Sequence, residues 1–421
     1  MALALGASSA TAHAEDAPTR PPLDVVVAPE LPMETGIVSI LSLGRLAFRY
    51  EDLLPLGAAR PSRDQAPYWV LDRFAWIGKT ILVDIPLAGL QALTIHEAFG
   101  HGARARELGF DVGYSFKLPF PYGALLSPKD EGHAGLTNYI GGAPRADDPQ
   151  QLFVSGGIES NVATARALSR QIVAEDGVAH HGEIALYVMS KLSYSQELTA
   201  PSFRAAGPPT TSSNDAKAYL SNLQERFGRV RSDDRATIGK RLAVGYLWNL
   251  ADPMLVWSAW AELHDVIFSS RRFPVAPLPR AFGATFLPLP RVWLAPYGME
   301  NELSVTAKKG EWVVDVHGRV GTTGLAPSWG AGASIDDHHV DRRVRVGAQV
   351  DVWRQPALDL ERRAYFDRPS QLGGALSATL RLRVISGAGV LGKLGAKTDG
   401  YLPTQRADAG PYGWVGLYLE P

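Results

Sequence analysis

The residues best suited to chemistry lie in one short stretch, the sequence HEAFGH at residues 96–101. It holds two histidines, His96 and His101, and Glu97 follows the first directly. Neutral imidazole rings are good zinc ligands, and a carboxylate beside the metal can take a proton from water. We therefore predict a zinc site with His96 and His101 as metal ligands and Glu97 as the general base.

The spacing of the two histidines decides whether they can share one ion. Zinc-binding helices commonly carry histidines at positions i and i+4, on one face. Here they stand at i and i+5, and on a regular helix at ~100° per residue they would point ~140° apart. A π-bulge would add a residue to the turn and bring them together. Gly100 is where the backbone would accept this bulge most easily.

The six residues of HEAFGH match the HExxGH signature of the dipeptidyl peptidase III family, whose zinc helix carries such a distortion. The resemblance is confined to this motif. It implies hydrolase chemistry with Zn²⁺ as cofactor and a peptide or protein as substrate. These implications are expectations that the rest of the chain has to support.

A catalytic zinc site needs a third protein ligand and one open position. Glu159, which follows a Gly-Gly pair in the sequence GGIESN, is the predicted third ligand. A histidine helix followed by a glutamate helix resembles the order found in glutamate-zinc peptidases. Asp252 and His264 are the alternatives. Asp252 lies in the sequence NLADP, which resembles the Asn/Asp-Pro segment of site-2 type intramembrane proteases.

Two further roles fall to residues around these ligands. Hydrolysis of an amide needs a hydrogen-bond donor for the oxyanion that develops on the carbonyl. His133 and Tyr139 lie between the two proposed ligand segments and are the predicted donors. Asn161 stands two residues after Glu159, where it could hydrogen-bond a metal ligand and hold it in orientation.

The composition limits what else the protein can be. The chain has 421 residues, a formal net charge of −1 and no cysteine. The balanced charge argues against nucleic acid as a partner. Without cysteine there is no disulfide framework and no thiolate metal site, so histidine and carboxylate side chains must supply any metal ligands.

The first residues are typical of an export signal. Small apolar residues end in Ala12-His13-Ala14, an A-x-A cleavage pattern, so residues 1–14 are predicted to be the remnant of a signal peptide. A disordered alanine-rich tail is the alternative. Residues 15–33 are rich in proline and are predicted to be a linker.

Residues 34–268 are predicted to form a helical domain that carries the zinc site. Apolar residues follow the period of a helix in the segments 67–109 and 150–175. The run 242–261 has the length of a membrane span, but Pro253 makes a buried, kinked helix the alternative.

Residues 285–421 change to the period of a strand. In the segments 344–352 and 376–384, valine, leucine and alanine occupy alternate positions, with polar or charged residues between them. The pattern predicts seven or eight strands, and the whole chain is predicted to be α+β. A small outer-membrane β-barrel would show this alternation, and so would a soluble antiparallel sheet with one wet face. The export signal favours the barrel.

These observations predict an exported, membrane-associated zinc peptidase of the cell envelope, in the periplasm or outer membrane. A non-enzymatic outer-membrane or envelope β-barrel protein is the alternative. Geometry separates the two, because the peptidase requires His96, His101 and a carboxylate to meet at one point.

Overall fold

The structure is a computed structural model and describes residues 23–29, 31–49, 68–119, 121–122, 135–140, 147–195, 198, 214–231, 235–269, 273–321, 327–360 and 369–420. A helical region comes first, and an antiparallel sheet of many strands follows it. The predicted α+β class is therefore confirmed.

Nine α-helices make up most of the helical region among the described residues. They are α1 (Met33–Arg49), α2 (Tyr68–Lys79), α3 (Ile85–Thr94), α4 (Gly102–Glu107), α5 (Asp147–Ala174), α6 (His181–Leu192), α7 (Asp215–Arg231), α8 (Arg235–Tyr246) and α9 (Pro253–Trp260). Two π-helical segments, Thr80–Asp84 and Ile95–His101, join α2, α3 and α4 end to end.

The helical stretch Arg73–Glu107 is long and apolar enough to cross a membrane, a criterion that buried helices of soluble proteins also meet. In this structure the part with the HEAFGH motif is covered by protein. Ile95 is completely buried, and it shares an apolar core with Val162 of α5, Ile184 of α6 and Trp293 of the sheet. This core fixes the motif between α5 and its neighbouring helices.

The apolar run 242–261 is broken in the structure. Helix α8 ends at Tyr246, a 3₁₀ turn follows over Leu247–Ala251, and α9 begins at Pro253. Asp252 caps α9 by accepting a hydrogen bond from the Met254 N–H at 2.8 Å. Proline suits the first turn of a helix because its missing N–H would have no partner there. The run is therefore kinked, as one of the two alternatives held, but it is not fully buried, because side chains such as Val256 are exposed.

The sheet contains ten strands in a nearly sequential order. They are β1 (Leu23–Val27), β4 (Arg280–Ala281), β5 (Ala284–Ala295), β6 (Gly298–Lys309), β7 (Trp312–Gly321), β8 (Trp329–His339), β9 (Val344–Pro356), β10 (Ser370–Ile385), β11 (Ala388–Lys397) and β12 (Gly410–Leu419). Each strand from β4 to β12 pairs antiparallel with the next, and β1 pairs with β12. A separate hairpin pairs β2 (Asp111–Phe116) with β3 (Gly135–Ile140).

The strands alternate as predicted, and the structure shows which face the protein covers. On β7, Asp315, His317 and Arg319 are buried, whereas Val316 and Val320 are exposed. The helices lie on the polar face, where Arg166 of α5 pairs with Asp315 at 2.5 Å. Strands β4 and β1 form opposite edges, and the sheet does not close on itself among the described residues. The prediction of a closed barrel is therefore wrong.

The N-terminal segment belongs to the sheet. Residues 15–33 were predicted to be a linker, but Leu23–Val27 forms β1, with Leu23 opposite Leu419. Asp24 accepts two hydrogen bonds of 2.8 Å from the guanidinium of Arg381, which lies on the polar face of β10. The three consecutive valines Val25–Val27 favour a strand, but the prolines on either side of them led us to predict a linker.

Candidate metal centre

Three side chains converge at one point in the helical region. The Nε2 atoms of His96 and His101 each lie 3.0 Å from Oδ2 of Asp215. One ligand atom from each residue can be chosen so that all three lie within 4.8 Å of one another. Ligands on a tetrahedral zinc ion with bonds of about 2.0–2.2 Å lie roughly 3.3–3.6 Å apart, so the two 3.0 Å distances to Asp215 would have to lengthen slightly to admit an ion.

A π-helical turn makes this convergence possible. Residues Ile95–His101 are π-helical, and the Gly102 N–H donates to the Glu97 carbonyl five residues earlier. The wider turn compensates for the i, i+5 spacing and places both histidines on one face. The predicted distortion of the motif is therefore confirmed.

Glycines bring α5 against this turn. A Cβ atom on Gly157 would lie 2.5 Å from Nε2 of both His96 and His101. A Cβ atom on Gly100 would lie 2.7 Å from the Gly157 Cα. Side chains at these positions would overlap their neighbours, so the Gly-Gly pair allows the backbone of α5 to line the site.

Asp215 reaches the histidines from the start of α7. Asn214 caps this helix, since its Oδ1 accepts a hydrogen bond of 3.0 Å from the Lys217 N–H. Asp215 is then the first residue of the helix, where free backbone N–H groups favour a negative charge. The cap fixes where the helix begins and therefore where this carboxylate points.

Backbone and amide groups orient both rings through their Nδ1 atoms. The His101 Nδ1–H donates to the Phe153 carbonyl at 2.7 Å, which leaves Nε2 directed at Asp215. The Asn161 amide lies 3.1 Å from His96 Nδ1, the kind of contact that the position of Asn161 predicted. Such contacts fix the tautomer of metal-binding histidines.

His101 and Asp215 each stabilise the charged form of the other, which shifts both pKa values. Burial opposes protonation of His101, but attraction to the Asp215 carboxylate outweighs burial and raises the pKa of His101 to about 9. Burial alone would raise the pKa of Asp215, yet the charge of His101 and hydrogen bonds from both histidines lower it far below its usual range. In the metal-free protein at neutral pH, a proton on His101 therefore holds the position that a cation would take.

Glu97 is buried beside the histidines. Its Oε2 accepts a hydrogen bond of 2.6 Å from the Thr137 hydroxyl, on strand β3. The negative charge of Glu97 also contributes to the raised pKa of His101, so the two groups lie within electrostatic reach. Gly135 leaves room for the carboxylate, because a Cβ atom there would lie 2.9 Å from Glu97 Oε1.

Tyr194 completes the cluster. Its hydroxyl donates to Asp215 Oδ2 at 2.6 Å and lies 3.2 Å from His96 Nε2. The phenol ring stacks on His96 with centroids 5.7 Å apart. The backbone of Tyr194 has φ = 61°, a left-handed conformation that is rare for an aromatic residue. Strained backbone of this kind concentrates at functional sites.

Glu159, the predicted third ligand, lies in a different interaction. Its carboxylate forms a bidentate pair with Arg104, with Oε1 2.6 Å from Nη2, and accepts a 2.6 Å hydrogen bond from the Thr404 N–H. Among the described residues, the group that could hold a metal ion contains Asp215 in its place. Arg104 stands only three residues after His101, so the helix that carries the motif also carries the partner of Glu159.

The alternative ligands also lie elsewhere. Asp252 is completely buried and accepts a hydrogen bond of 2.6 Å from the Tyr187 hydroxyl, and it pairs with Lys191 at 2.9 Å. His264 contacts Asp265 at 2.8 Å and is partly exposed. Of the predicted oxyanion donors, His133 lies outside the described residues. Tyr139 contributes its backbone to β3 opposite Val112, and its side chain lies outside the described part.

Asp215 and Tyr194 were not predicted from the sequence. Asp215 follows a polar segment and begins a short amphipathic helix, which is an ordinary place for an aspartate. Tyr194 lies just after α6, with no neighbouring residue that suggests chemistry. The sequence signal for Asp215 was the cap Asn214 followed by an acidic residue, which locates a helix start but not a ligand.

No protein family, curated protein or solved structure matches this chain. The assignment of the site therefore depends on its own geometry.

That geometry fits a metal ion. Two nitrogen ligands and one carboxylate oxygen form a donor set that binds divalent cations, and Gly157 leaves the space between them free. The Oδ1 atom of Asn161 has no hydrogen-bond partner among the described residues. If the Asn161 amide turned over, Oδ1 would accept a hydrogen bond from the His96 Nδ1–H and leave Nε2 free to bind a cation. His96, His101 and Asp215 can thus hold a metal ion.

Proposed function

We propose that this protein is a zinc-dependent peptidase, with His96, His101 and Asp215 as the metal ligands. The convergence of these three side chains beside the buried Glu97 is the observation that carries the proposal. Two histidines and a carboxylate, with one position left open, form a recurrent donor set of hydrolytic zinc sites. The HExxGH resemblance supports zinc over other divalent ions and peptide bonds as the substrate.

Each protein group has a distinct task in this mechanism. Bound zinc would act as a Lewis acid and lower the pKa of water to about 7. Glu97, held by the Thr137 hydrogen bond, takes a proton from the attacking water and passes it to the leaving amine. Tyr194 donates a hydrogen bond to the oxyanion, because coordination by Asp215 would release the hydroxyl from its present acceptor.

The N-terminal A-x-A pattern supports export, so we place this activity in the cell envelope. The substrate would then be a peptide or protein that reaches the same compartment.

Metal analysis of the purified protein tests the ligand assignment. Wild type should hold about one zinc ion per chain, and His101→Ala and Asp215→Ala should lose most of it. Glu97→Gln should keep the metal and lose hydrolysis of a mixed peptide substrate, because only the proton transfer is removed. His264→Ala is the matched control, since it removes a partly exposed histidine outside the cluster.

Two results would contradict the proposal. If no variant and no wild-type sample contained metal after zinc was supplied, the cluster would be an ion-pair network without a cation. Equal hydrolysis by wild type and Glu97→Gln would show that the activity arises elsewhere.

A further inference from the structure

The outward face of strands β6–β12 and β1 presents apolar side chains almost without interruption. Exposed large residues on this face are Leu303, Val305, Val316, Val320, Val350, Val352, Leu372, Leu376, Leu380, Leu382, Val384, Val390, Leu394, Val415, Leu417, Leu419, Val25 and Val27. Leu376 is 64 % exposed and Leu394 is 71 % exposed, so nothing in the described part of the chain covers the centre of the face. Exposed apolar patches of this extent mark surfaces that meet an apolar partner.

The register aligns these residues into continuous rows. Val305 lies opposite Val316, Val316 opposite Ala333, and Ala333 opposite Val350. The same row continues through Leu376 to Ala396. Six neighbouring strands therefore share one apolar line with no polar side chain in it.

The opposite face has the reverse character and is the one that the helices cover. His317 Nε2 lies 3.1 Å from Asp351 Oδ1, Arg319 pairs with Glu300 at 3.1 Å, and Lys393 pairs with Glu34 of α1 at 2.7 Å. A water-soluble antiparallel sheet buries its apolar face and leaves the polar face wet. This sheet does the opposite, as strands do when lipid lies outside them.

Tryptophan and basic residues mark the two ends of the apolar face. Lys309 lies opposite Trp312 at one end of the strands, and Trp329 lies opposite Arg354 at the other. Trp312 and Trp329 are both exposed. Tryptophan and long basic side chains are enriched at the two interfaces of a bilayer. Ten residues at ~3.4 Å each extend ~34 Å, enough for a tilted strand to cross an apolar layer of about 25 Å.

Helical side chains meet backbone groups at both edges of the sheet, where unpaired groups would be costly in hydrocarbon. At the β1 edge, the Asp24 N–H donates to the Ser42 hydroxyl at 2.6 Å, and the Val26 N–H donates to the Ser39 hydroxyl at 3.1 Å. At the other edge, β4 pairs only with the first two residues of β5, and beyond them Pro290 of β5 has no N–H while its carbonyl accepts a hydrogen bond from Lys191. An open sheet of this kind can therefore lie against lipid without exposing these edge groups.

We propose that the outward face of β6–β12 and β1 contacts the hydrocarbon core of a lipid bilayer. The bands of tryptophan and basic residues lie at its two interfaces, and the helices and the metal centre lie on the opposite side of the sheet. A second copy of this chain is a poorer occupant, because protein interfaces carry about one hydrogen bond per 100–200 Å² and the rows described above offer none from side chains. This inference is independent of the proposed peptidase activity.

Site-directed spin labelling of the full chain in phosphatidylcholine vesicles tests the proposal. The chain has no cysteine, so each single-cysteine variant carries one nitroxide label. Val350→Cys and Leu376→Cys place the label on the apolar row, and Glu311→Cys in the β6–β7 turn is the control. Labels at 350 and 376 should collide more often with oxygen, which concentrates in lipid, than with a water-soluble nickel chelate. The label at 311 should show the reverse.

Circular dichroism of each labelled variant shows that the strands remain folded. Two results would overturn the proposal. In the first, the protein stays monodisperse in buffer without detergent, and the nickel chelate reaches 350 and 376 as readily as 311. In the second, both collision partners are excluded from 350 and 376 in detergent-free solution until dilution restores access, which would show a second copy on this face.

Discussion

At the scale of single residues, Tyr194 is the side chain whose role is most open to test. Its hydroxyl contacts both Asp215 and His96, and its backbone holds a left-handed conformation to place it there. Zinc ligands in proteins are normally Cys, His, Asp or Glu, so a tyrosine would be an unusual ligand. A tyrosine hydroxyl that donates a hydrogen bond at the open side of a cation suits the chemistry of amide cleavage.

Tyr194→Phe should lower kcat by roughly 10²–10³-fold and leave the zinc content unchanged, since one donor to the oxyanion is lost. Steady-state kinetics with zinc analysis of the same samples checks this. Loss of zinc together with activity would assign Tyr194 to metal retention instead of catalysis.

The raised pKa of His101 sets the pH dependence of metal binding. The metal-free protein holds a proton on His101 up to a pKa of about 9, and a cation has to displace it. Below that pH, apparent zinc affinity should rise about tenfold per pH unit, with about one proton released per ion from His101. Titration calorimetry at pH 7 in buffers of different ionisation enthalpy measures the release. Affinity that stays constant between pH 7 and 8 would contradict this prediction.

At the scale of elements, the contact between α5 and the π-helical turn assembles the site. Gly100, Gly156 and Gly157 let the two backbones approach so closely that α5 forms one wall of the candidate metal centre. The π-turn itself was predictable, because the i, i+5 histidines could share an ion in no regular helix. The third ligand was not predictable, because Asp215 is far along the chain and only the packing of α7 against α5 brings it near.

Glu159 shows the limit of sequence reasoning at this scale. The glycine pair before it does lie against the histidines, as expected of close helix packing. The side chain of Glu159, however, points to Arg104, and no spacing rule separates a carboxylate that binds metal from one that binds a neighbouring guanidinium. A metal ion and a guanidinium can each compensate the charge of a buried carboxylate, so tertiary contacts decide which of them is the partner.

Gly100→Ala should destabilise the fold by about 1–3 kcal/mol, because its methyl group would overlap the Gly157 Cα and the Gly156 carbonyl. Gly78→Ala in α2 is the matched control, as nothing lies within 4 Å of a Cβ atom there. That variant should gain roughly 0.5–1 kcal/mol from helix propensity. Chemical denaturation followed by circular dichroism measures both. Similar stability of the two variants would show that α5 can move away from the turn.

At the scale of the whole molecule, the sheet has a polar face that the helices cover and an apolar face that is exposed. Strand alternation was readable from the sequence, since apolar residues, mostly valine, leucine and alanine, recur at alternate positions in β9 and β10. The sequence does not show which face the helices cover, because alternation defines an apolar and a polar face without saying which of them packs against another layer. The partly buried ion pairs Arg166–Asp315 and Arg381–Asp24 supply that information only in three dimensions.

Lipid contact predicts that the cost of a new charge depends on its position along one strand. Leu376→Arg, near the middle of β10, should destabilise the protein in phosphatidylcholine vesicles by about 2–4 kcal/mol. Val384→Arg, close to the end of the same strand, should cost about 0–1 kcal/mol because its guanidinium reaches the interface. Urea unfolding in vesicles compares the two. Equal small costs would place both positions in water.

The pairing of β1 with β12 also constrains the order in which the molecule can form. Leu23 and Leu419 are neighbours in the sheet although almost the entire chain lies between them. During synthesis, β1 and α1 emerge long before the strand that β1 must meet, and closing so long a loop is slow. Strand β1, the first of the described strands to emerge, can therefore pair only after β12, the last of them, has been made.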